Sequence, residues 1–307
     1  MAAGFDHAAL SEAPSSSSRA IPPGRSQWIS DYLAKVGCPR VSPTEVGLRE
    51  LHLAHVQAIP FDMLDYFLAI EPPFHLERIV EKIVYGKRGG GCTQVNELFA
   101  ACLEDIGFSV WRALARLPAD EQGLRPATHK IILVEFDSGL WLVDVGYGAQ
   151  GPLYPIRIDS GVIASQGLST FRTVDIGFGE FALERLSRSK WIRLYTFHTS
   201  PIASIDFLPT HFYNCFSTRS LFTQHLICAR PRLDGSDLLL DSRLTIRRGT
   251  EVRRLVLSSI EQLSSVLLEH FDIDISPGEF SFLPEGVRFA DTPVCPKHHE
   301  SCLSGRS

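Results

Sequence analysis

Three consecutive glycines, Gly89 to Gly91, run directly into Cys92 and an amphipathic stretch, and nothing else in the chain restricts its fold as tightly. Glycine packs no side chain and loses the most backbone entropy on folding, so such a run is poor core material and marks a place where the backbone needs room. The residues that follow, CTQVNELFAACLEDIGF, carry Val95, Leu98, Phe99, Cys102, Leu103 and Ile106 at helical spacing, with Gly107 as the stop. The spacing predicts a helix that opens at Cys92, with unpaired N–H groups and the positive dipole end beside the thiol. Such surroundings favour a thiolate, and the same N–H groups can hold an oxyanion once sulfur attacks a carbonyl. The plainer reading is a half-buried cysteine after a flexible turn, because glycine-rich turns before helices are common.

A thiol nucleophile needs a base. His129, in ATHKIILV, stands at the start of an expected strand. Its competitors are His52 and His55, on a helix where a lone histidine more commonly packs, and His298 and His299 in the tail. Asp144, flanked by Val143 and Val145 in WLVDVGYG, needs a partner if it is buried, and an imidazole supplies one. HKIILVEF and LWLVDVG read as one hairpin turned by Asp137, Ser138 and Gly139, which brings positions 129 and 144 to its open end. The face of Asp144 stays open, because a two-residue and a three-residue loop put it on opposite sides.

A length of 307 residues suggests two domains or one large one. With 44% hydrophobic residues, 21% charged residues and a net charge of -5, the chain lacks the overall basic character that nucleic acid or an anionic membrane calls for. No apolar run approaches the ~20 residues of a membrane span, and the N-terminus lacks a secretory signal, so the expected location is cytoplasmic. Seven irregularly spaced cysteines argue for reduced thiols rather than a disulfide framework. Residues 1–24, with SEAPSSSSRAIPPG, are expected to form a disordered arm, and 291–307 a flexible tail. Ser42, Pro43 and Glu45 suggest a capping box, with proline at the first position of a helix bearing Leu48, Leu51 and His55. HLERIVEKIVYG suggests another helix. After Gly107 the period turns to strands, in FSVWRALARL, the hairpin, FRTVDIGF, WIRLYTF and LFTQHLICAR. SIEQLSSVLLEHF closes the pattern with a helix that sets Ile260, Leu263, Leu267 and His270 on one face.

RGGGCTQVN, THKIILV and VDVGYG, in that order and at those separations, resemble the three signature segments of the arylamine N-acetyltransferases, and IPFDML at 59–64 is similar to a further segment of that family. The resemblance runs from about residue 28 to 275 and is most specific over 88–148. It implies an α+β fold with a catalytic core like that of cysteine proteases and transglutaminases. A helical N-terminal domain (25–107) carries the nucleophile, followed by a central β-barrel domain (108–215) and a C-terminal α/β lid (216–290). The resemblance makes Cys92 the nucleophile, His129 its base and Asp144 the residue that orients the imidazole. The reaction it implies is ping-pong. Cys92 takes an acyl group from acyl-CoA as a thioester, CoA leaves, and an arylamine, arylhydrazine or N-arylhydroxylamine accepts the group.

Acetyl-CoA, or another short acyl-CoA such as propionyl- or malonyl-CoA, is then a co-substrate. The resemblance implies no permanently bound cofactor and no metal, a monomer, and a role in xenobiotic metabolism. By the same resemblance Arg88 and Asn96 hold the loop and the helix start, and Tyr147 lines the acceptor pocket. Thr223 and Ser217 are matched to CoA contacts, although such hydroxyls commonly serve backbone groups instead. Gly91 and Thr93 flank Cys92 where many members carry an aromatic or aliphatic residue, and the lost side chain is expected to open the substrate site.

Two other classes share these features. A thiol hydrolase or transglutaminase-like enzyme orders Cys, His and Asp in the same way, and an inactive homologue that only binds aromatic ligands is the non-enzyme alternative. RRGTEVRR (247–254) is a basic cluster that reads as a solvated turn or as a contact for CoA phosphates. Cys295, His298, His299 and Cys302 have the spacing of half a zinc site in the tail.

Overall fold

The computed structural model describes residues 25–289 apart from 122, 160, 285, 286 and 288, so the expected arm and tail, with Cys295, His298, His299 and Cys302, lie outside the described residues. Helices come first: α1 (Arg25–Val36), α2 (Glu45–Ala58), a two-residue strand β1 (Phe61–Asp62), α3 (Leu76–Val80) running into one π turn (Glu81–Tyr85), and α4 (Cys92–Ile106). Strands follow: β2 (Ser109–Arg116), β3 (His129–Phe136), β4 (Gly139–Val143), β5 (Ile156–Arg157), β6 (Ile163–Gln166), β7 (Ser169–Gly177), β8 (Glu180–Ser187) and β9 (Lys190–His198). Then come α5 (Leu208–Phe216), α6 (Leu221–Gln224), β10 (Ile227–Arg232), β11 (Gly235–Leu240), β12 (Arg243–Arg248), β13 (Glu251–Val256) and α7 (Ile260–Phe271). Among the described residues no helix is long and apolar enough to cross a membrane.

An eight-stranded antiparallel sheet, in the order β5-β4-β3-β2-β9-β8-β7-β6, nearly closes into a barrel. Strand β3 shows why the barrel sits where it does. Ile131 and Leu133 point into the barrel with Phe171, Leu183, Tyr195 and Phe197. Ile132 and Val134 point the other way, into the helical core with Val95, Leu98 and Phe99 of α4. A strand with a core on each side needs a continuous apolar run rather than an alternating one, and HKIILV has it.

The second sheet has the order β1-β10-β11-β12-β13, and Leu263, Leu267 and Phe271 of α7 pack on it against Cys228, Leu239 and Leu244. Leu64, Phe67 and Leu68 join that cluster, while Phe61 and Asp62 pair with Ala229 and Cys228. Residues 61–68, expected among the helices, are therefore built into this C-terminal layer through pairing that no local spacing announces.

Two local expectations shift. Thr44 rather than Ser42 caps α2, its Oγ1 accepting from the Gly47 N–H at 3.2 Å, so Pro43 precedes the helix instead of opening it. The chain doubles back there so closely that a Cβ on Gly47 would stand 2.2 Å from the Ser42 carbonyl oxygen. In LFTQHLICAR, residues Leu221–Gln224 form a helical turn capped by Ser220, and the strand starts only at Ile227.

His52 and His55 are core residues, 0% exposed, with their rings edge-on to Phe99 at 5.9 and 5.2 Å. His52 donates from Nδ1 to the Leu153 carbonyl at 2.9 Å, and the Tyr32 hydroxyl donates to Nδ1 of His55 at 2.8 Å. Burial, offset only in part by Leu153 and Asp144, lowers His52 to about 4; burial and the neighbouring His52 lower His55 to about 3. Both lie below the ordinary 6.5, so the unfolded chain takes up protons that the fold refuses. The stability concerned is present above about pH 6.5 and is lost as pH falls through these values, at about 1.4 kcal/mol per pH unit for each proton. Urea midpoints are expected to fall steeply from pH 6.5 toward 4. His55→Asn, which keeps an acceptor for Tyr32 and cannot titrate, is expected to remove about one proton from that slope. An unchanged slope in the variant would mean that this ring is already charged in the fold.

Candidate active site

The turn that leads into Cys92 rests on buried carboxylates. Arg88 donates from Nε and Nη2 to Asp62 at 2.6 and 3.1 Å, and from Nη2 to Asp65 at 2.7 Å. Asp62 also accepts from the N–H groups of Gly89 at 3.2 Å and Leu64 at 2.8 Å. Burial alone would raise Asp62, but Arg88 and Lys82 bring it down to about 2, so it stays ionised beneath the turn. A Cβ on Gly89 would stand 2.0 Å from the Pro60 carbonyl oxygen, which is the close approach that excludes a side chain. At Gly91 the expected opening is filled: a Cβ there would meet Met63 Sδ at 2.3 Å. Gln94 Oε1 accepts from the Gly91 N–H at 3.3 Å and closes the turn, so Cys92 becomes the first residue of α4. The N–H groups of Cys92 and Thr93 then have no acceptor within the helix.

His129 opens β3 and Asp144 directly follows β4. The connecting turn has two residues, because Phe136 pairs with Gly139 and Ile132 with Val143. That register sets Asp144 opposite Ile131, on the barrel-inward face it shares with His129, and so decides the face that the sequence left open. His129 Nε2–H donates to Asp144 Oδ2 at 2.7 Å, and the Tyr195 hydroxyl donates to the same oxygen at 3.0 Å. Oδ1 accepts from the Gly146 N–H at 2.9 Å and from Asn96 Nδ2 at 3.2 Å. Burial would raise the carboxyl, but His129 and these donors hold it below its ordinary range.

With Nε2 committed to Asp144, His129 has Nδ1 left for Cys92, whose charge acts on the ring, and the Cys92 thiol lies 3.9 Å from the carbonyl of Thr128, the residue before His129. Burial would strip the imidazole of its proton. The charge of Asp144, then that of Cys92, outweighs burial and lifts His129 to about 10. Cys92, His129 and Asp144 are 4%, 5% and 1% exposed. Water is thus largely kept from the charges.

Asn96 lies one helical turn beyond Cys92. Its Nδ2 donates to the Lys130 carbonyl at 2.7 Å and its Oδ1 accepts from the Val145 N–H at 3.0 Å, so one side chain ties α4 to β3 and to the segment after β4. Gly146 completes the joint: a Cβ there would lie 2.8 Å from both Cys92 Cα and Asn96 Nδ2. Tyr195, absent from the sequence reading, arrives from β9 on the far side of the barrel. Only its inward parity with Phe197 could have pointed to it.

A cavity of about 400 Å³ opens onto Cys92 and His129, walled by Phe61, Tyr147, Tyr213, Phe222, Ile227 and Leu238 among others. The Tyr147 ring stands edge-on to His129 at 5.7 Å; burial and Asp144 raise its hydroxyl to about 12, so it remains a neutral donor. Gly91 and Thr93 border a separate, smaller cleft with Met63 and Cys215. Thr223 Oγ1 donates to the carbonyls of Ser217 at 2.7 Å and Ser220 at 3.1 Å, and Ser217 Oγ accepts from the Arg219 N–H at 3.2 Å. These two hydroxyls serve the turn. The adjoining wall of the cavity comes instead from Arg219, Ser220, Leu221, Phe222 and Gln224.

A family model described as N-acetyltransferase matches residues 46–280. The chain is 29% identical over 259 residues to the arylamine N-acetyltransferase / N-hydroxyarylamine O-acetyltransferase of Salmonella typhimurium, covering 83% of this chain and 92% of that protein. It is 30% identical over 254 residues to the arylamine N-acetyltransferase of Mycolicibacterium smegmatis, covering 80% and 92%. The solved structure of the Mycobacterium marinum arylamine N-acetyltransferase in complex with CoA is similar, with a TM-score of 0.77 and 27% identity over 82% of this chain and 96% of that one. By model, relatives and fold together, the chain belongs to the arylamine N-acetyltransferase family.

Proposed function

We propose that this protein transfers a short acyl group from acyl-CoA to an arylamine, arylhydrazine or N-arylhydroxylamine through a thioester on Cys92. The carrying observation is that Cys92 and His129 line one cavity of about 400 Å³, with Asp144 held against the far nitrogen of His129 at 2.7 Å. Support for the donor comes from the Mycobacterium marinum relative, solved with CoA, and for the acceptors from the name of the Salmonella enzyme, which pairs N- with O-acetyl transfer.

Each step follows from the groups present. Beside an imidazolium, Cys92 reacts as a thiolate and attacks the donor carbonyl. The negative oxygen that forms is met by the orphan N–H groups at the start of α4. Collapse breaks the bond to the CoA sulfur, and CoA leaves with the proton from His129. The amine then attacks the Cys92 thioester, the now neutral His129 takes its proton, and collapse returns the thiolate. Asp144 holds the ring and its charge through both halves, while Tyr195 and Asn96 hold Asp144.

The test is release of free CoA thiol from acetyl-, propionyl- and malonyl-CoA, with and without an aromatic amine. One donor is expected to give a burst of about one CoA per protein without amine and steady turnover with it. Steady release that ignores the amine would make the protein a thiol hydrolase, and no release from any donor would refute the transferase reading.

A further inference from the structure

On the α7 face of the second sheet the arginines have partners except for the exposed Arg253 of the edge strand. On the face against α7, Arg232 and Arg248 pair with Asp237, each at 2.8 Å, and Arg230 donates to the Phe271 carbonyl. On the other face Ile227, Ala229 and Leu238 wall the cavity that reaches Cys92. Strand register carries this face outward: Ala229 pairs with Leu238, Leu238 with Thr245, and Thr245 with Arg254. Arg243 and Arg247 lie two residues to either side of Thr245 on the same face. All three arginines are exposed. Among the described residues none of the three guanidinium groups has a hydrogen bond or ion pair. The carboxylates of these strands, Asp237 and Glu251, belong to the opposite face.

A fourth arginine approaches from the barrel. Arg185 of β8 pairs with Phe171 and so faces inward. Its Nη2 donates at 2.9 Å to Oε1 of Gln150, a cavity-wall residue, and its Nε is buried with no partner. Burial lowers Arg185 from its ordinary value, Tyr147 opposes that, and the positive Arg247 adds to it. Arg185 thus reaches the cavity wall through Gln150 while the like charge of Arg247, from the other sheet, acts on it. An arrangement of this kind is unfavourable until an anion enters.

We infer that this rim is a phosphate-binding subsite, in which Arg247 and Arg254 of the sheet, with Arg185 of the barrel, hold the diphosphate and 3′-phosphate of the acyl-CoA donor. Guanidinium forks match phosphate oxygens in pairs, and these forks have no carboxylate competing for them. Two strand spacings, about 10 Å, separate Leu238 at the apolar wall from Arg254, a stretch for the uncharged pantetheine arm to cover between the phosphates and the sulfur. Arg243 extends the charge at the outer edge. The inference rests on the acyl-CoA reading above.

Calorimetric binding of CoA, 3′-dephospho-CoA and pantetheine to the full chain tests it without requiring turnover. The double variant Arg247→Gln/Arg254→Gln is expected to bind CoA at least about tenfold more weakly, with pantetheine binding unchanged, since two charge-assisted contacts are lost. Added salt is expected to weaken CoA binding in the wild type more than in the variant. In turnover, KM for acetyl-CoA rises while kcat and all constants for an acetyl-pantetheine donor stay as they were. Arg185→Gln is expected to weaken CoA binding in the same direction. Equal CoA affinity in the wild type and the double variant overturns the subsite, as does an equal loss with pantetheine. Arginine-dependent CoA binding without acyl transfer would leave the subsite standing and remove the proposed function instead.

Discussion

Cys92→Ser is expected to lower acyl transfer by on the order of 10⁴-fold or more and to leave the melting temperature unchanged. Serine fits the 4%-exposed position, so the fold loses little. What it loses is chemical. A hydroxyl must give up its proton as it attacks, and the neighbouring base is an imidazole whose pKa Asp144 raises above its ordinary value. Steady-state rates and a thermal melt on the same preparation check both halves. A serine variant within tenfold of the wild type would show that another group attacks the donor.

Asp144→Asn is expected to cost about 10³- to 10⁴-fold in rate and to lower stability as well. The carboxylate accepts from His129, Tyr195, Gly146 and Asn96. An amide keeps one oxygen and turns an NH₂ toward two of those donors, and each buried donor left without an acceptor costs about 1–3 kcal/mol. The imidazole also loses the charge that opposes burial, so its proton leaves at a lower pH than about 10. The sign for stability follows. His129 in the wild type titrates above its ordinary 6.5, so the ion pair's contribution is complete below about pH 6.5 and is lost as pH rises through about 10. The variant is expected to lack that alkaline decline and to show its fall in rate at lower pH. Unfolding midpoints and rates from pH 6 upward decide it. A variant with wild-type rate and the same alkaline decline would free Asp144 of the role given to it.

The helix behind Cys92 was legible because its signals are local. Three glycines, a 3.6-residue apolar period and Gly107 all lie within one short segment, and the structure begins and ends α4 at the expected residues. The hairpin of β3 and β4 was legible for the same reason. The face of Asp144 was not, since it turns on whether the loop has two residues or three, and both fit DSG. Tyr195 lies 51 residues from Asp144 in the chain, and nothing near it in sequence marks an inward tyrosine as the carboxylate's donor. Met63 beside Gly91 is a similar case. A glycine was read as open space when its neighbour from another segment fills that space. The basic run at 247–254 divides by alternation, with Arg247 and Arg254 on the sheet face that bears Leu238 and Arg248 toward Asp237, which only the strand register could reveal.

The most direct measurement is the mass of the protein mixed with acetyl-CoA in the absence of any amine, quenched in acid and mapped by peptide. The account predicts a single acetyl group on the peptide that carries Cys92, discharged when an arylamine is added as the acetylated amine appears. Acyl transfer that proceeds with no acyl group on Cys92, or with one on another residue such as Cys215, would contradict it.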